Sequence, residues 1–434
     1  MKYIVILGDG MGDYPLKQFD FKTPLQFAHK PTIDYMAEHG VMGIVQTVPA
    51  GMPPGSDTAN LSVMGYDPVE HYSGRSPYEA ASMGIGMGEK DISFRCNLVT
   101  LSDDEPYANK NMVDYSADEV TTDEAKVLIA ELNRKFTIEG IRFYSGKSYR
   151  HLIIWKEGPC EWELTPPHDI IGKTISAYLP QGEGKEIITD MMVKSYKILM
   201  NHNINRKRIK RGLKPANSIW IWGEGRRPLI PDFKTKYGLT GAVISAVDLI
   251  KGLGICAGME SIDVPGATGN LHTDYAGKVK AALKALEGGK DFVFLHIEAP
   301  DECSHRNEPE NKVKAIELID KLVVKELKDS LDKKNMDYKI LLLPDHYTPL
   351  SLRTHTADPV AFWIYSRGDD ISYAGKTYSE KSAAESALHL PGGHKLMDLF
   401  LGFPGSNYTG SDEYYIHHKV MPGESISSIA QVYS

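Results

Sequence analysis

The sequence predicts an α/β protein in which helices cover both faces of a parallel sheet, with a second, smaller domain inserted into the first. Short apolar runs recur along the chain, and each of them ends in a polar turn. Amphipathic stretches separate the later runs, whereas the segment from about residue 90 to residue 230 follows neither pattern. Alternation of strands and helices is typical of parallel sheets, because each crossover needs a long connection.

The apolar runs predict the strands of this sheet. Residues 3–7 are continuously apolar and lead into a Gly-Asp-Gly turn, as expected for a buried parallel strand followed by a tight loop. Residues 292–297 and 340–343 repeat the pattern, and each leads within a few residues to an aspartate. Residues 360–365 form a further apolar run.

Two stretches between the runs have the spacing of amphipathic helices. Residues 275–286 alternate lysine with alanine and leucine. Between residues 310 and 334, apolar side chains recur at steps of three and four, which predicts one apolar stripe on a solvated helix. The residues of this stripe are Ile316, Ile319, Val323, Leu327 and Leu331.

The length of 434 residues suits two or three domains, or one large domain that carries an insertion. The middle of the chain has short strands at residues 93–101 and 149–155, clusters of turn residues and a basic stretch. We therefore predict that residues 1–90 and 231–434 form one domain and that residues 91–230 form an inserted one.

Composition excludes several classes of function. The chain has 49 Lys and Arg residues against 57 Asp and Glu residues, a formal net charge of -8, which argues against nucleic acid or a basic membrane surface as partner. The four cysteines are scattered and form no CxxC pair, so no disulfide scaffold is expected. With no signal sequence or membrane span in the pattern, a cytoplasmic protein is the expectation. The sequence predicts no particular oligomeric state.

Three predicted strands lead to an aspartate: Asp9, Asp301 and Asp345. In open parallel sheets ligands gather at the carboxyl ends of the strands, so these carboxylates are expected at one edge. Carboxylates held together repel one another, and a bound cation offsets that repulsion. The pattern therefore suggests a metal site.

Histidines accompany these aspartates. His305 follows Asp301 by four residues, His346 is adjacent to Asp345, and His355 comes shortly after. Carboxylates mixed with imidazoles suit manganese or zinc better than calcium or a pure magnesium site. Taken singly, each aspartate is also compatible with a cap or turn, and each histidine with a structural role.

A serine after two prolines and a glycine is a candidate nucleophile. Ser56 follows Pro53, Pro54 and Gly55 and stands at or near the start of a predicted helix. Free backbone N–H groups and the positive end of a helix attract phosphate there, and a metal can activate a hydroxyl. A plain serine N-cap is the alternative interpretation.

Together these motifs resemble the alkaline phosphatase superfamily and, more narrowly, the cofactor-independent phosphoglycerate mutases of the archaeal type. The resemblance extends over nearly the whole chain. It is carried by residues 8–13, 54–60, 300–305, 344–346 and 355–360, with further matches at 74–80, 94–97, 148–151, 166–169 and 242–252.

The resemblance implies an alkaline-phosphatase-like, mostly parallel sheet with an inserted α+β domain, and an isomerase of glycolysis and gluconeogenesis. Such an enzyme interconverts 2- and 3-phosphoglycerate without bisphosphoglycerate, through a phosphoserine, here on Ser56. The family carries two divalent metals, usually manganese, magnesium or zinc. By position, one metal would be held by Asp9, Ser56, Asp345 and His346, and the other by Asp301, His305 and His355.

A small phosphorylated acid needs cationic partners and protection from water, and a domain that closes over the site is a natural lid. The candidates for binding the substrate are Arg95, Arg150, His151, Arg226, Arg227 and Lys251. Residues 112–118 stand where many members have an Asp-Arg-Arg-type stretch. This departure leaves two alternatives open, a homoserine kinase-type phosphotransferase and a metallophosphatase acting on a small hydroxylated substrate.

Overall fold

The computed structural model describes residues 1–159, 161–369 and 377–402. They form two compact units: Met1–Tyr72 with the described residues from Ile230 onward, and Ser73–Leu229. The second unit begins before the predicted residue 91, because the helix Ser76–Ser82 packs on the strand Ile92–Leu101. The Ser76 hydroxyl donates a hydrogen bond to the Ser93 carbonyl of that strand, at 3.1 Å.

The strands are β1 Lys2–Gly8, β2 Val41–Val45, β3 Ile92–Leu101, β4 Met112–Asp114, β5 Ile141–Tyr144, β6 Arg150–Trp155, β7 Trp162–Glu163, β8 Gln181–Gly182, β9 Ser218–Arg226, β10 Gly241–Ile244, β11 Glu260–Ser261, β12 Phe292–Ile297, β13 Tyr338–Leu343, β14 Val360–Ser366 and β15 His389–Leu390. The α-helices are α1 Pro24–Phe27, α2 Pro31–Glu38, α3 Ser56–Val63, α4 Pro68–His71, α5 Ser76–Ser82, α6 Thr122–Lys135, α7 Lys185–Met200, α8 Asn203–Lys210, α9 Phe233–Tyr237, α10 Asp248–Cys256, α11 Tyr275–Glu287, α12 Ala299–His305, α13 Pro309–Ile319, α14 Lys325–Lys333, α15 Glu380–Ala384 and α16 Lys395–Leu401.

The first unit contains a sheet with strand order β11-β10-β12-β1-β13-β14-β2-β15. Strands β11, β10, β12, β1 and β13 run parallel to one another, which confirms the predicted parallel arrangement for this part of the sheet. Strand β14 coincides with the predicted run at 360–365 but lies antiparallel to β13 and β2, so the sheet as a whole is mostly parallel. Strand β1 lies between β12 and β13, where Leu7 is paired with both His296 and Leu343.

The strands at the centre of this sheet are buried on both faces, as their unbroken apolar sequences predict. The predicted amphipathic stretch at 310–334 comprises α13 and α14, joined by a π-helical turn at Asp320–Val324. All five residues of its apolar stripe are fully buried. The stripe therefore packs this helical segment into the core of the first unit.

The second unit is a smaller α+β structure with its own core. Strands β4, β3, β6 and β5 form an antiparallel sheet, in which β9 also pairs with β3. Helix α7 packs against β9, and buried side chains such as Phe94, Leu128, Met192 and Trp220 fill the interior.

None of the helices described has the combination of length and apolar composition that a membrane crossing requires. Of the four cysteines, Cys96, Cys256 and Cys303 are free thiols, and Cys160 lies outside the described residues.

Candidate functional site

Three adjacent parallel strands bring the predicted aspartates to one edge of the main sheet. Asp9 directly follows β1, Asp345 follows β13, and Asp301 lies in the first turn of α12, after β12. The three residues are 2%, 0% and 6% exposed. Three carboxyl groups in so little contact with water need compensating charge.

One cluster contains Asp9, Asp345, His346 and Ser56. His346 Nε2 lies 3.1 Å from Ser56 Oγ, 3.3 Å from Asp345 Oδ2 and 3.7 Å from Asp9 Oδ1. One potential ligand atom from each of Asp9, Asp345 and His346 lies within 4.8 Å of the others, so these residues can hold a metal ion. Asp9 Oδ1 is buried and has no hydrogen-bond partner among the described residues.

Backbone and amide donors fix the Asp345 carboxylate of this cluster. The N–H groups of Gly10 and His346 donate to Oδ1, at 3.2 and 2.9 Å. The Asn60 amide donates to Oδ2 and to the Ser56 carbonyl, each at 2.8 Å. Asn60 therefore ties the first turn of α3, which carries Ser56, to the carboxylate.

The N-cap interpretation of Ser56 is wrong. Gly55 is the N-cap residue of α3, and Ser56 occupies the first helical position. Its hydroxyl faces His346 instead of capping the helix.

The second cluster contains Asp301, His305 and His355. Asp301 and His305 lie four residues apart on α12, with 3.2 Å between Oδ2 and Nε2. His355 Nε2 lies 3.4 Å from Asp301 Oδ1 and 3.0 Å from His305 Nε2. Asp301, His346 and His355 form a second group able to hold a metal ion, so His346 belongs to both groups.

Burial and neighbouring charges perturb these groups strongly. Burial, together with the negative charges of Asp345 and Asp301, raises the pKa of Asp9 well above its ordinary value. Burial acts in the same direction on Asp301, but hydrogen bonds from His305 and His355 outweigh it and hold its pKa well below the usual range. The hydrogen bond with Asp301 raises the pKa of His305 to about 9. Burial lowers the pKa of His346.

A divalent cation suits this donor set. Buried carboxylates and imidazole nitrogens converge, one carboxylate oxygen has no donor within the described part of the chain, and two Nε2 atoms approach each other at 3.0 Å. A cation in each cluster would satisfy these groups, and carboxylate oxygen with imidazole nitrogen is a common ligand set for manganese and zinc. Asp9, Asp345 and His346 would hold one cation beside Ser56, and Asp301, His305 and His355 would hold another.

Sequence reasoning missed His296, which supports Asp9 from within β12. The ring is fully buried, with Nε2 3.0 Å from Asp9 Oδ2 and Nδ1 3.2 Å from Ser245 Oγ. The Lys278 ammonium group donates to the His296 carbonyl at 3.0 Å. A histidine inside an apolar strand was the available signal, because a buried imidazole needs polar partners.

The predicted substrate-binding residues lie in both units. Lys251, on α10 of the first unit, pairs with Asp263. Arg150 and Arg227, in the second unit, are exposed, and Arg226 ends β9 with its side chain half-buried. His151 is buried and accepts a hydrogen bond from the Gly146 N–H at Nδ1. Burial lowers its pKa to about 3, so the ring is neutral near pH 7.

Arg95 is part of a cationic and aromatic cluster in the second unit. Its guanidinium lies 4.2 Å from the centre of the Trp222 ring and pairs with Glu79 at 3.1 Å. Burial lowers the pKa of Arg95, and the nearby charges of Arg75 and Arg150 lower it further, although Glu79 opposes them. Arg75 is not among the substrate-binding candidates predicted from the sequence, because its proximity to Arg95 is a property of the folded chain.

The chain matches the family model described as 2,3-bisphosphoglycerate-independent phosphoglycerate mutase over residues 37–205. It is 48% identical over 404 residues to a protein of that name from Methanothrix thermoacetophila, which covers 92% of this chain and 100% of the relative. A probable enzyme of the same name from Geobacter sulfurreducens is 49% identical over 402 residues, again with 92% and 100% coverage.

Solved structures resemble the fold described above. The cofactor-independent phosphoglycerate mutase of Thermoplasma acidophilum has a TM-score of 0.61 and 27% identity, over 93% of this chain and 99% of that one. A protein from Pyrococcus horikoshii has a TM-score of 0.77 and 29% identity, over 92% of this chain and 96% of the other.

Proposed function

Because this chain belongs to the archaeal-type family of 2,3-bisphosphoglycerate-independent phosphoglycerate mutases, which are isomerases, we propose that it interconverts 2- and 3-phosphoglycerate through a phosphoserine on Ser56. One observation carries the proposal. The Ser56 hydroxyl lies 3.1 Å from His346 Nε2, in a cluster of buried carboxylates and imidazoles at the carboxyl ends of β12, β1 and β13.

Two divalent cations, with manganese as the first candidate, would supply the charge that lowers the pKa of the serine hydroxyl and stabilises the phosphoryl oxygens. The protein contributes the orientation of the groups around them. His296 orients Asp9, and Asn60 holds both Asp345 and the turn of Ser56. These hydrogen bonds keep the serine oxygen and the carboxylates in fixed positions before the substrate binds.

In the proposed reaction each bond that forms is matched by a bond that breaks, and no co-reactant is needed. Ser56 Oγ attacks the phosphorus, a bond from Oγ to phosphorus forms, and the bond between phosphorus and the substrate oxygen breaks. The proton that leaves Ser56 ends on the released hydroxyl of glycerate. The other glycerate hydroxyl then attacks the phosphoserine, which returns the phosphoryl group and restores the serine proton.

We assign recognition of the anionic substrate to the cationic cluster of the second unit. Arg75 and Arg95 both pair with the Glu79 carboxylate, at 3.2 and 3.1 Å, which leaves an excess of positive charge there, and Arg150 of the same unit is exposed. A guanidinium binds a carboxylate or a phosphate through paired hydrogen bonds, so an anion placed among these arginines would relieve their mutual repulsion.

The direct test is to incubate manganese-loaded protein with 3-phosphoglycerate and to follow 2-phosphoglycerate, without bisphosphoglycerate. We expect turnover in the intact chain and a fall on the order of 10³-fold or more for Ser56→Ala, because the nucleophile is lost. Ser330→Ala, on α14 of the same unit, is the matched control and should retain full turnover.

Other outcomes identify the alternative functions. Release of free phosphate without isomerisation would indicate a phosphatase, and activity confined to homoserine with ATP would indicate a kinase. Undiminished mutase activity in Ser56→Ala would remove this serine from the mechanism.

A further inference from the structure

Thr348 connects the two clusters of potential metal ligands. It lies five residues beyond β13 and is fully buried. Its hydroxyl oxygen lies 2.6 Å from Asp301 Oδ1, in the second cluster, and 3.2 Å from His346 Nδ1, in the first. It therefore bridges a residue of each cluster.

A hydroxyl group has one proton to donate, and this limits how the three groups can be arranged. An ionised carboxylate has no proton, so the short contact with Asp301 requires Thr348 to be the donor. The contact with His346 must then run the other way, from Nδ1–H to a lone pair of Thr348 Oγ1.

We infer that Thr348 is a positioning residue that holds the neutral His346 ring in the tautomer protonated on Nδ1, leaving Nε2 free to bind a cation. The inference rests on the proposed cation site but not on the identity of the substrate. In this tautomer the Nε2 lone pair points to the space it shares with Ser56 Oγ, Asp345 Oδ2 and Asp9 Oδ1. A hydrogen bond made by the ring nitrogen that does not bind the metal commonly fixes the tautomer of a metal-binding histidine in this way.

The surroundings hold Thr348 in place. The Lys312 ammonium group donates to the Thr348 carbonyl at 3.0 Å and to the Gly12 carbonyl at 3.2 Å. Gly10 packs so closely that a Cβ atom there would lie 2.6 Å from Thr348 Oγ1. The hydroxyl thus has little freedom to rotate away from its two partners.

The test uses the full-length protein with ¹⁵N-labelled histidine. Long-range ¹H–¹⁵N correlation spectra distinguish the two tautomers of a ring, and His346→Gln identifies the signal by its disappearance. In metal-free and in zinc-loaded wild-type protein near neutral pH, we expect His346 to be protonated on Nδ1. A proton on Nε2 in the metal-free wild type would overturn the inference, whatever the variants do.

Two substitutions extend the test. Thr348→Val keeps the shape but removes the hydroxyl, and we expect manganese affinity, measured by calorimetry, to fall by about 10- to 100-fold. Thr348→Ser keeps the hydroxyl and should bind within about 3-fold of the wild type. Thr348→Val binding as tightly as the wild type with an unchanged ring signal would overturn the inference, and so would failure of Thr348→Ser to restore affinity.

These readouts separate the inference from the proposed function. A protein that shows the expected tautomer and metal affinities but no mutase turnover would refute the substrate, not the role of Thr348. A mutase whose His346 ring is protonated on Nε2 would refute the role of Thr348 and leave the function standing.

Discussion

At the scale of single residues, Gly10 shows how little space separates the backbone from the side chains of the candidate metal site. Its φ of 61° lies in the left-handed region, where side chains are disfavoured. A Cβ atom would lie 2.8 Å from Asp301 Oδ1 and 2.9 Å from Asp301 Cα. The position is therefore closed to other residues for both conformational and steric reasons.

We predict that Gly10→Ala lowers the free energy of unfolding by about 3 kcal/mol, because strain and crowding add together. Gly238→Ala is the matched control: its φ is 72°, but no atom of the residues that the structure describes lies within 4 Å of the added atom. It should lose only about 1 kcal/mol, from backbone strain alone. Denaturant unfolding measures both values, and equal losses would show that crowding at Gly10 is unimportant.

Residues differ in how far their roles are visible in the sequence. The convergence of Asp9, Asp301 and Asp345 follows from the sequence, because apolar runs predict strands and parallel strands bring their carboxyl ends together. The roles of His296 and Thr348 depend on partners that are distant in the chain, and no local spacing records such contacts.

At the scale of elements, helix α13 anchors two loops of the site through a single lysine. Lys312 and Asp13 are fully buried, with 2.7 Å between Nζ and Oδ2. Lys312 also donates to the backbone of the loops that follow β1 and β13. Removing the lysine leaves the buried Asp13 carboxylate without its cationic partner, with only the Tyr14 and Leu350 N–H groups still donating to it.

We predict that Lys312→Met lowers the free energy of unfolding by about 3–5 kcal/mol, the usual cost of breaking a buried ion pair on one side. Lys314→Met, at an exposed position on the same helix, should change it by no more than about 0.5 kcal/mol. Urea unfolding followed by circular dichroism compares the two. A loss below about 1 kcal/mol in Lys312→Met would contradict the anchoring role.

Two strands, β14 and β2, show which features of the sheet the sequence does not predict. The strands at 292–297 and 340–343 follow from unbroken apolar sequence, but the same kind of run at 360–365 does not reveal that β14 is antiparallel. Strand β2 is not predicted from the sequence, because its five residues include Gly43. The absence of a side chain at Gly43 leaves room for the Leu388 carbonyl.

At the scale of the whole molecule, each compact unit has a hydrophobic core of its own. The change of pattern predicts an inserted segment at residues 91–230, and the compact unit in this region begins at Ser73, since α5 packs on β3. The assignment of this unit as a lid stays a prediction.

The tryptophans are unevenly divided: residues 155, 162, 220 and 222 lie in the second unit and residue 363 in the first. Fluorescence therefore reports mainly on the second unit.

The ionisation of one acidic residue, Asp114, makes the stability of the second unit depend on pH. Burial alone would raise the pKa of Asp114, but hydrogen bonds from Lys214 and Ser116 outweigh it and lower the pKa to about 2, from an ordinary value of 3.8. The Lys214 ammonium group lies 2.7 Å from Oδ2, and the Ser116 hydroxyl lies 2.7 Å from Oδ1. A carboxylate with a depressed pKa stabilises the fold above the unfolded value and loses that effect as the pH falls through the folded value.

We therefore predict that Asp114→Asn makes the second unit less stable than the wild type above about pH 5, and that the difference disappears as the pH falls towards 2. Urea titrations followed by tryptophan fluorescence at several pH values measure it. The control is Asp190→Asn, which removes a half-exposed pair with Lys194 on α7, and such surface pairs contribute little at any pH. A stability difference that stays constant from pH 7 to pH 2 would mean that Asp114 acts through packing, because only a shifted ionisation can make its contribution fade with acid.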